Sequence, residues 1–155
     1  MPSLEDKTIQ QLLLNSLQGL IVVYTSFALP YATYLLKGYF TTIPLSLDEA
    51  ALVDGCGRLK ALFYIIFPSA IPGIAVTFLF TFILGWNEYL FASVFLNSYE
   101  KWTMPVALAS FRGQYLVEWN FLFAGSVVIT IPVLLLFFLL QKFLVAGFTA
   151  GAVKG

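Results

Sequence analysis

Three long apolar stretches, from about Leu12 to Leu36, Ala70 to Leu96 and Phe121 to Leu140, constrain this chain more than any other feature. Each is long enough to cross a bilayer, whose hydrocarbon core takes about 20 helical residues. Lipid offers no partner for open backbone groups, so each stretch is predicted to be helical. A single soluble globule is excluded by composition. Of the 155 residues, 60% are hydrophobic and 10% charged, against about 45–50% and about 25% in ordinary soluble domains. A core of this size cannot hide so much apolar surface. The predicted fold class is all-α and integral to a membrane, with three transmembrane helices. Pro30, Pro72 and Pro132 lie in or beside these stretches, where proline is expected to kink a helix.

Several function classes fall away at once. Lys+Arg 8 against Asp+Glu 8 leaves no net charge, which argues against a nucleic-acid partner. There is no histidine, so the commonest general base and metal ligand is missing. The lone Cys56 can form neither an internal disulfide nor a multi-cysteine metal site. No GxxxxGK[ST] phosphate-cradling loop occurs. The sequence therefore supplies no catalytic residue, metal site or cofactor site. The opening MPSLEDKTIQ is not a signal peptide, because Glu5 and Asp6 precede Lys7 where a basic region is wanted.

Small and polar residues recur along one face of each stretch: Asn15, Gly19, Ser26, Pro30 and Thr33; then Gly73, Thr77, Thr81, Gly85 and Glu88; then Ser126 and Thr130. Such stripes permit close helix contact or line a polar cavity. Lys and Arg favour the inner side of a membrane. With the 38–69 loop and the 142–155 tail inside, Lys37, Arg58, Lys60, Lys142 and Lys154 lie inside, and Lys7, Lys101 and Arg112 outside. This five-to-three balance predicts an outer N-terminus and an inner C-terminus. An outer start without a signal fits the C-terminal part of a longer protein, or a truncated gene product. The 97–120 segment is then an outer loop or a plain connector.

The most charged segment lies between the first two stretches. In Ser46–Pro68, Ser46 and Glu49 have the spacing of a capping box, which predicts a helix starting at Leu47. Asp48 and Glu49 suit the positive end of its dipole. Gly55 is expected to end it in a left-handed turn. A second helix is predicted over Arg58–Ile66, stopping near Pro68. The loop thus reads as a helix-turn-helix at the membrane surface. Glu88 in WNEY is a second candidate, because an ionisable group near membrane depth suggests a functional site. With Trp86 and Asn87 it sets an aromatic face beside two polar side chains. It could equally be a carboxylate at headgroup level beside interfacial aromatics.

Glu49-Ala50-Ala51, Gly55, Ile65 and Pro68 reproduce the spacing EAAxxxG, nine residues, IxLP, with Phe67 in place of the usual leucine. This resembles the EAA loop of binding-protein-dependent ABC importer permeases. Tyr24 through Pro44, Trp86-Asn87-Glu88 and the ending LVAGFTAGAVKG are similar to the carbohydrate, maltose-type branch. The resemblance runs from about Leu12 to Gly155. It implies the C-terminal half of a permease of about six spans, in the cytoplasmic membrane of a prokaryote. The implied partners are a second permease subunit, a dimer of ABC ATPase subunits on the cytoplasmic side and an extracytoplasmic solute-binding protein. The implied substrate is a sugar or related polyol. The implied ATPase-coupling residues are Glu49, Ala50, Ala51, Asp54, Gly55, Ile65 and Pro68; the candidate substrate path holds Trp86, Asn87 and Glu88.

Three rival readings compete with an importer subunit. A stand-alone channel or secondary transporter would want ion-pairing charges within the spans, where Glu88 is alone. An intramembrane enzyme finds no histidine and no serine–base pair. A non-functional permease remnant would share every motif. For the loop itself, an amphipathic helix merely resting on headgroups is the alternative.

Overall fold

The computed structural model describes residues 14–113 and 116–152, with side chains described as far as residue 144. The sequence features at Leu12, Lys7 and Lys154 lie outside this range. Among the described residues the structure is helical, with one isolated antiparallel bridge between Arg112 and Val117. The elements are α1 (Leu17–Phe40), α2 (Leu45–Val53), α3 (Arg58–Ala61), a π-turn (Leu62–Ile66), α4 (Phe67–Trp86), α5 (Leu90–Phe95), a 3₁₀ turn (Tyr99–Lys101), α6 (Met104–Ser110) and α7 (Trp119–Ala152).

Three helices are apolar and long enough to cross a membrane: Leu17–Phe40, the continuous Arg58–Trp86, and Trp119–Leu144. At 1.5 Å per residue, 24, 29 and 26 residues reach about 36, 44 and 39 Å, more than the roughly 30 Å hydrocarbon core. Their boundaries differ from those read in the sequence. The first begins at Leu17 because Asn15 takes a left-handed φ of 54° and the Ser16 hydroxyl accepts the Gly19 N–H at 3.0 Å, capping the helix.

The second begins at Arg58, where the sequence also predicts a helix, but it does not stop at Pro68 and runs on into the apolar stretch read from Ala70. Proline lacks the N–H that would bond four residues back, and its ring crowds that carbonyl. Just ahead of it the ladder widens: the Phe67 N–H reaches the Leu62 carbonyl, and the Ser69 hydroxyl donates to the Ile65 carbonyl at 2.7 Å. A widened turn lets a proline enter without ending the helix. At the other end the helix breaks at Trp86, and Asn87–Tyr89 separate it from α5. The stretch read as one span to Leu96 is therefore discontinuous.

The described residues divide into two compact units, one within 14–29 and 83–135, the other within 30–82 and 136–152. In the first unit Leu20, Ala92, Leu96 and Val106 form the core, with Tyr24, Phe95 and Trp102 packed against it. In the second, Gly73 lies against Tyr39: a Cβ there would meet the Tyr39 ring carbons within 2.1–2.7 Å. The small-residue stripe thus serves close helix contact at this position. Most other large apolar side chains point outward, among them Val127, Leu135, Phe138 and Leu139 on α7. Nothing in the most apolar stretch of α7 is buried. In water such a face would cost about 25 cal/mol per Å²; lipid or partner helices remove that cost.

Candidate functional site

The helix-turn-helix lies in the second unit, and α2 packs on α3 and the π-turn. Ala51 and Ala61, 2% and 0% exposed, make that packing possible, since a methyl group lets two helix backbones approach. The cap expected at Ser46 is not used. The helix starts at Leu45 after Pro44, and no side chain caps it. Pro44, with φ −62° and ψ 130°, presets the entry, and Ser46 falls inside the first turn. Asp48 remains in that turn, where a negative charge is favourable.

The turn after α2 is closed by the backbone. Gly55 N–H donates to the Leu52 carbonyl at 3.1 Å and Cys56 N–H to the Ala51 carbonyl at 3.0 Å, the paired bonds of a Schellman closure. Gly55 takes φ 78°, and a Cβ there would meet nothing within 4 Å. Glycine is needed for its backbone angle alone. This geometry leaves Glu49, Ala50, Leu52, Val53 and Asp54 exposed. Ile65 is half-buried in the π-turn and Pro68 is exposed. The coupling residues read from the sequence thus share one helix-turn-helix, with Ala51 as its hidden packing residue and Glu49 and Ala50 on its open face.

The second candidate cluster does not stay together. Trp86 donates its indole N–H to the Ile129 carbonyl on α7 at 3.0 Å. Glu88 turns to the protein itself: it accepts the Tyr24 hydroxyl at 2.8 Å, and the N–H groups of Phe91 at 2.8 Å and Ala92 at 3.0 Å. Asn87 alone of the three lines a cavity of about 700 Å³, with Tyr89, Pro105, Leu108, Ala109, Arg112, Leu122 and Ile129. Tyr89 and Arg112 were missed as lining residues by the sequence reading. Arg112 offers a planar set of donors and Tyr89 an aromatic face with a hydroxyl. The other walls are apolar, so this cavity can hold a molecule with one polar edge and one apolar face.

A third feature was also missed. Asn15 donates its amide to Ser98 Oγ at 2.7 Å, and its side-chain oxygen accepts the N–H of Asn97 at 3.2 Å and of Ser98 at 3.1 Å. Its backbone bonds Phe95 and Lys101. One residue before α1 thus clasps the 95–101 segment. The only sequence signal was an asparagine ahead of a helix; its partners lie over 80 positions away.

Comparison with known proteins agrees with this architecture. The chain is 40% identical over 142 residues to the trehalose/maltose transport system permease protein MalG of Thermococcus litoralis, covering 91% of this chain and 51% of that protein. It is 40% identical over 137 residues to the inner membrane ABC transporter permease protein YcjP of Escherichia coli, covering 88% and 49%. It is 40% identical over 143 residues to the diacetylchitobiose uptake system permease protein DasC of Streptomyces coelicolor, covering 92% and 52%. The chain spans about half the length of these relatives. The model of the family described as "binding-protein-dependent transport system inner membrane component" matches residues 7–149. With three membrane-length helices and this match over most of its length, the chain belongs to that family of transport permeases.

Proposed function

We propose that the chain forms part of the membrane-spanning subunit of an ATP-driven importer, and that it moves a sugar or related polyol across the cytoplasmic membrane of a prokaryote. ATP hydrolysis takes place on a separate pair of ATPase subunits. A second permease subunit completes the pathway, and an extracytoplasmic binding protein delivers the substrate. The sugar class follows the names of the relatives, which include trehalose, maltose and diacetylchitobiose. In this reading the helix-turn-helix and the C-terminal end face the cytoplasm, and the 97–120 segment faces outward.

The observation that carries the reading is the form of α2. Its packing contact is the buried Ala51, its turn is closed by backbone, and its Glu49 carboxylate, Ala50 and Leu52 are exposed. Ionised Glu49 accepts hydrogen bonds and can take charge-assisted bonds from a cationic partner. A short helix whose outward face mixes one anion with small and apolar side chains suits insertion into a cleft on another protein. A helix floating on headgroups would instead show a basic polar face, and α2 has no basic residue.

Capture of the cognate ATPase by the permease, with uptake of labelled trehalose, maltose and diacetylchitobiose in proteoliposomes, tests this. Glu49→Lys should insert normally and lose ATPase capture at least tenfold, since losing one member of a buried charge pair costs about 2–5 kcal/mol in binding. Wild-type capture and uptake by Glu49→Lys and Gly55→Val together would remove the coupling role.

A further inference from the structure

Glu88 has a geometry its sequence setting does not suggest. An ionisable group beside an apolar helix invites a ligand role, yet both carboxylate oxygens are occupied from within the protein. Oε1 accepts the Phe91 N–H; Oε2 accepts the Ala92 N–H and the Tyr24 hydroxyl. Two of these bonds cap α5 on the far side of the break, and the third ties the break to α1. Tyr24 is itself fixed, packed against the core of this unit, 5.6 Å from the Phe27 ring and in contact range of Gly85, whose Cβ would lie 3.7 Å from the Tyr24 ring. Asn87 and Tyr89, the neighbours of Glu88 on either side, both line the cavity.

We propose that Tyr24 and Glu88 form a latch that sets the break between α4 and α5 and so holds Asn87 and Tyr89 in the cavity wall. Glu88 is then no sugar ligand; it and Tyr24 are positioning residues for the side chains that meet the substrate. The importer reading enters only in naming what the cavity receives. The latch is a property of the chain by itself. Three hydrogen bonds at one side chain occupy its oxygens within the protein and make the break a fixed corner.

The test is thiol labelling of the chain in its native membrane with N-ethylmaleimide. Cys56→Ser removes the one native thiol, and Asn87→Cys places a reporter in the cavity wall. Its labelling rate is measured with the latch intact, with Tyr24→Phe, with Glu88→Gln and with both. The latch predicts a change of about threefold or more for each single variant, the scale of one lost hydrogen bond. It predicts a change in the double smaller than the two single effects multiplied, because both variants act on the same latch. A parallel Leu59→Cys reporter on α3 should keep its rate, which separates a moved corner from a loosened protein. If Glu88→Gln fails to accumulate, Tyr24→Phe decides alone. Unchanged rates at position 87, or single effects that multiply in the double, would overturn the proposal. Neither the ATPase nor the sugar enters this measurement, so its failure is distinct from failure of the importer reading.

Discussion

At the start of the long helix Arg58–Trp86 the chain is held by alanines and backbone bonds; beyond its end it is held by carboxylate and amide side chains. In the helix-turn-helix, Ala51 and Ala61 provide the packing and the Gly55 closure provides the turn. No charged side chain is spent, so Glu49 and its neighbours remain outward. In the 87–101 region, Glu88 and Asn15 use up their polar atoms on the protein itself. A segment fixed by its backbone keeps its side chains for a partner, whereas one fixed by side chains keeps its shape and offers fewer groups.

The largest expected effect breaks the first kind of support. Gly55→Val puts a β-branched residue at φ 78°, a region that costs an L-residue roughly 1–2 kcal/mol and more when branched. Capture of the ATPase should fall at least tenfold, while Gly55→Asn, which tolerates that region, should keep most of it. Space is not the cause, so trimming neighbours should give no rescue. Ala51→Leu comes next: overpacking the buried site should cost about 1–3 kcal/mol, read as a lower thermal midpoint of the purified permease. Ala50→Leu on the open face should leave that midpoint unchanged.

The second kind of support should fail differently. Asn15→Val loses the side-chain bonds to the 97–98 segment and the left-handed backbone together. Asn15→Gly loses only the bonds, at about 0.5–1.5 kcal/mol for each net bond. Protease nicking of the 97–101 segment should therefore rise in both variants, and more for valine. Equal nicking in wild type and both variants would mean that this clasp does not hold the segment. The smallest effect belongs to Ser46→Ala. A working cap would cost about 1 kcal/mol to remove, but Ser46 caps nothing here, so the thermal midpoint should not move.

These contrasts mark what could be read in the sequence. The three membrane-length helices follow from apolar length alone, and the left-handed Gly55 follows from its place after a short helix. Both are local signals. Ser46 misled because a capping-box spacing does not say where the helix begins, and Pro44 moved the start to Leu45. Pro68 misled because a π-turn accommodated it. The break at Asn87–Tyr89 was hidden in an aromatic run that reads as continuous span. Glu88 could be noticed but not assigned, since its partner Tyr24 lies 64 positions away. The Asn15 clasp was invisible for the same reason. Pairings over such separations depend on how helices pack, which periodicity does not encode.

The proposed seat for the ATPase is the open face of α2. Replacing the lone Cys56 with serine clears the background. A single cysteine is then placed at Ala50, at Ala51 or at Tyr99, and the assembled complex is treated with a short cross-linker that joins that thiol to a lysine amine of the partner. The exposed Ala50→Cys should give a permease–ATPase product, the buried Ala51→Cys little, and Tyr99→Cys none. A product from Tyr99→Cys with none from Ala50→Cys would contradict it.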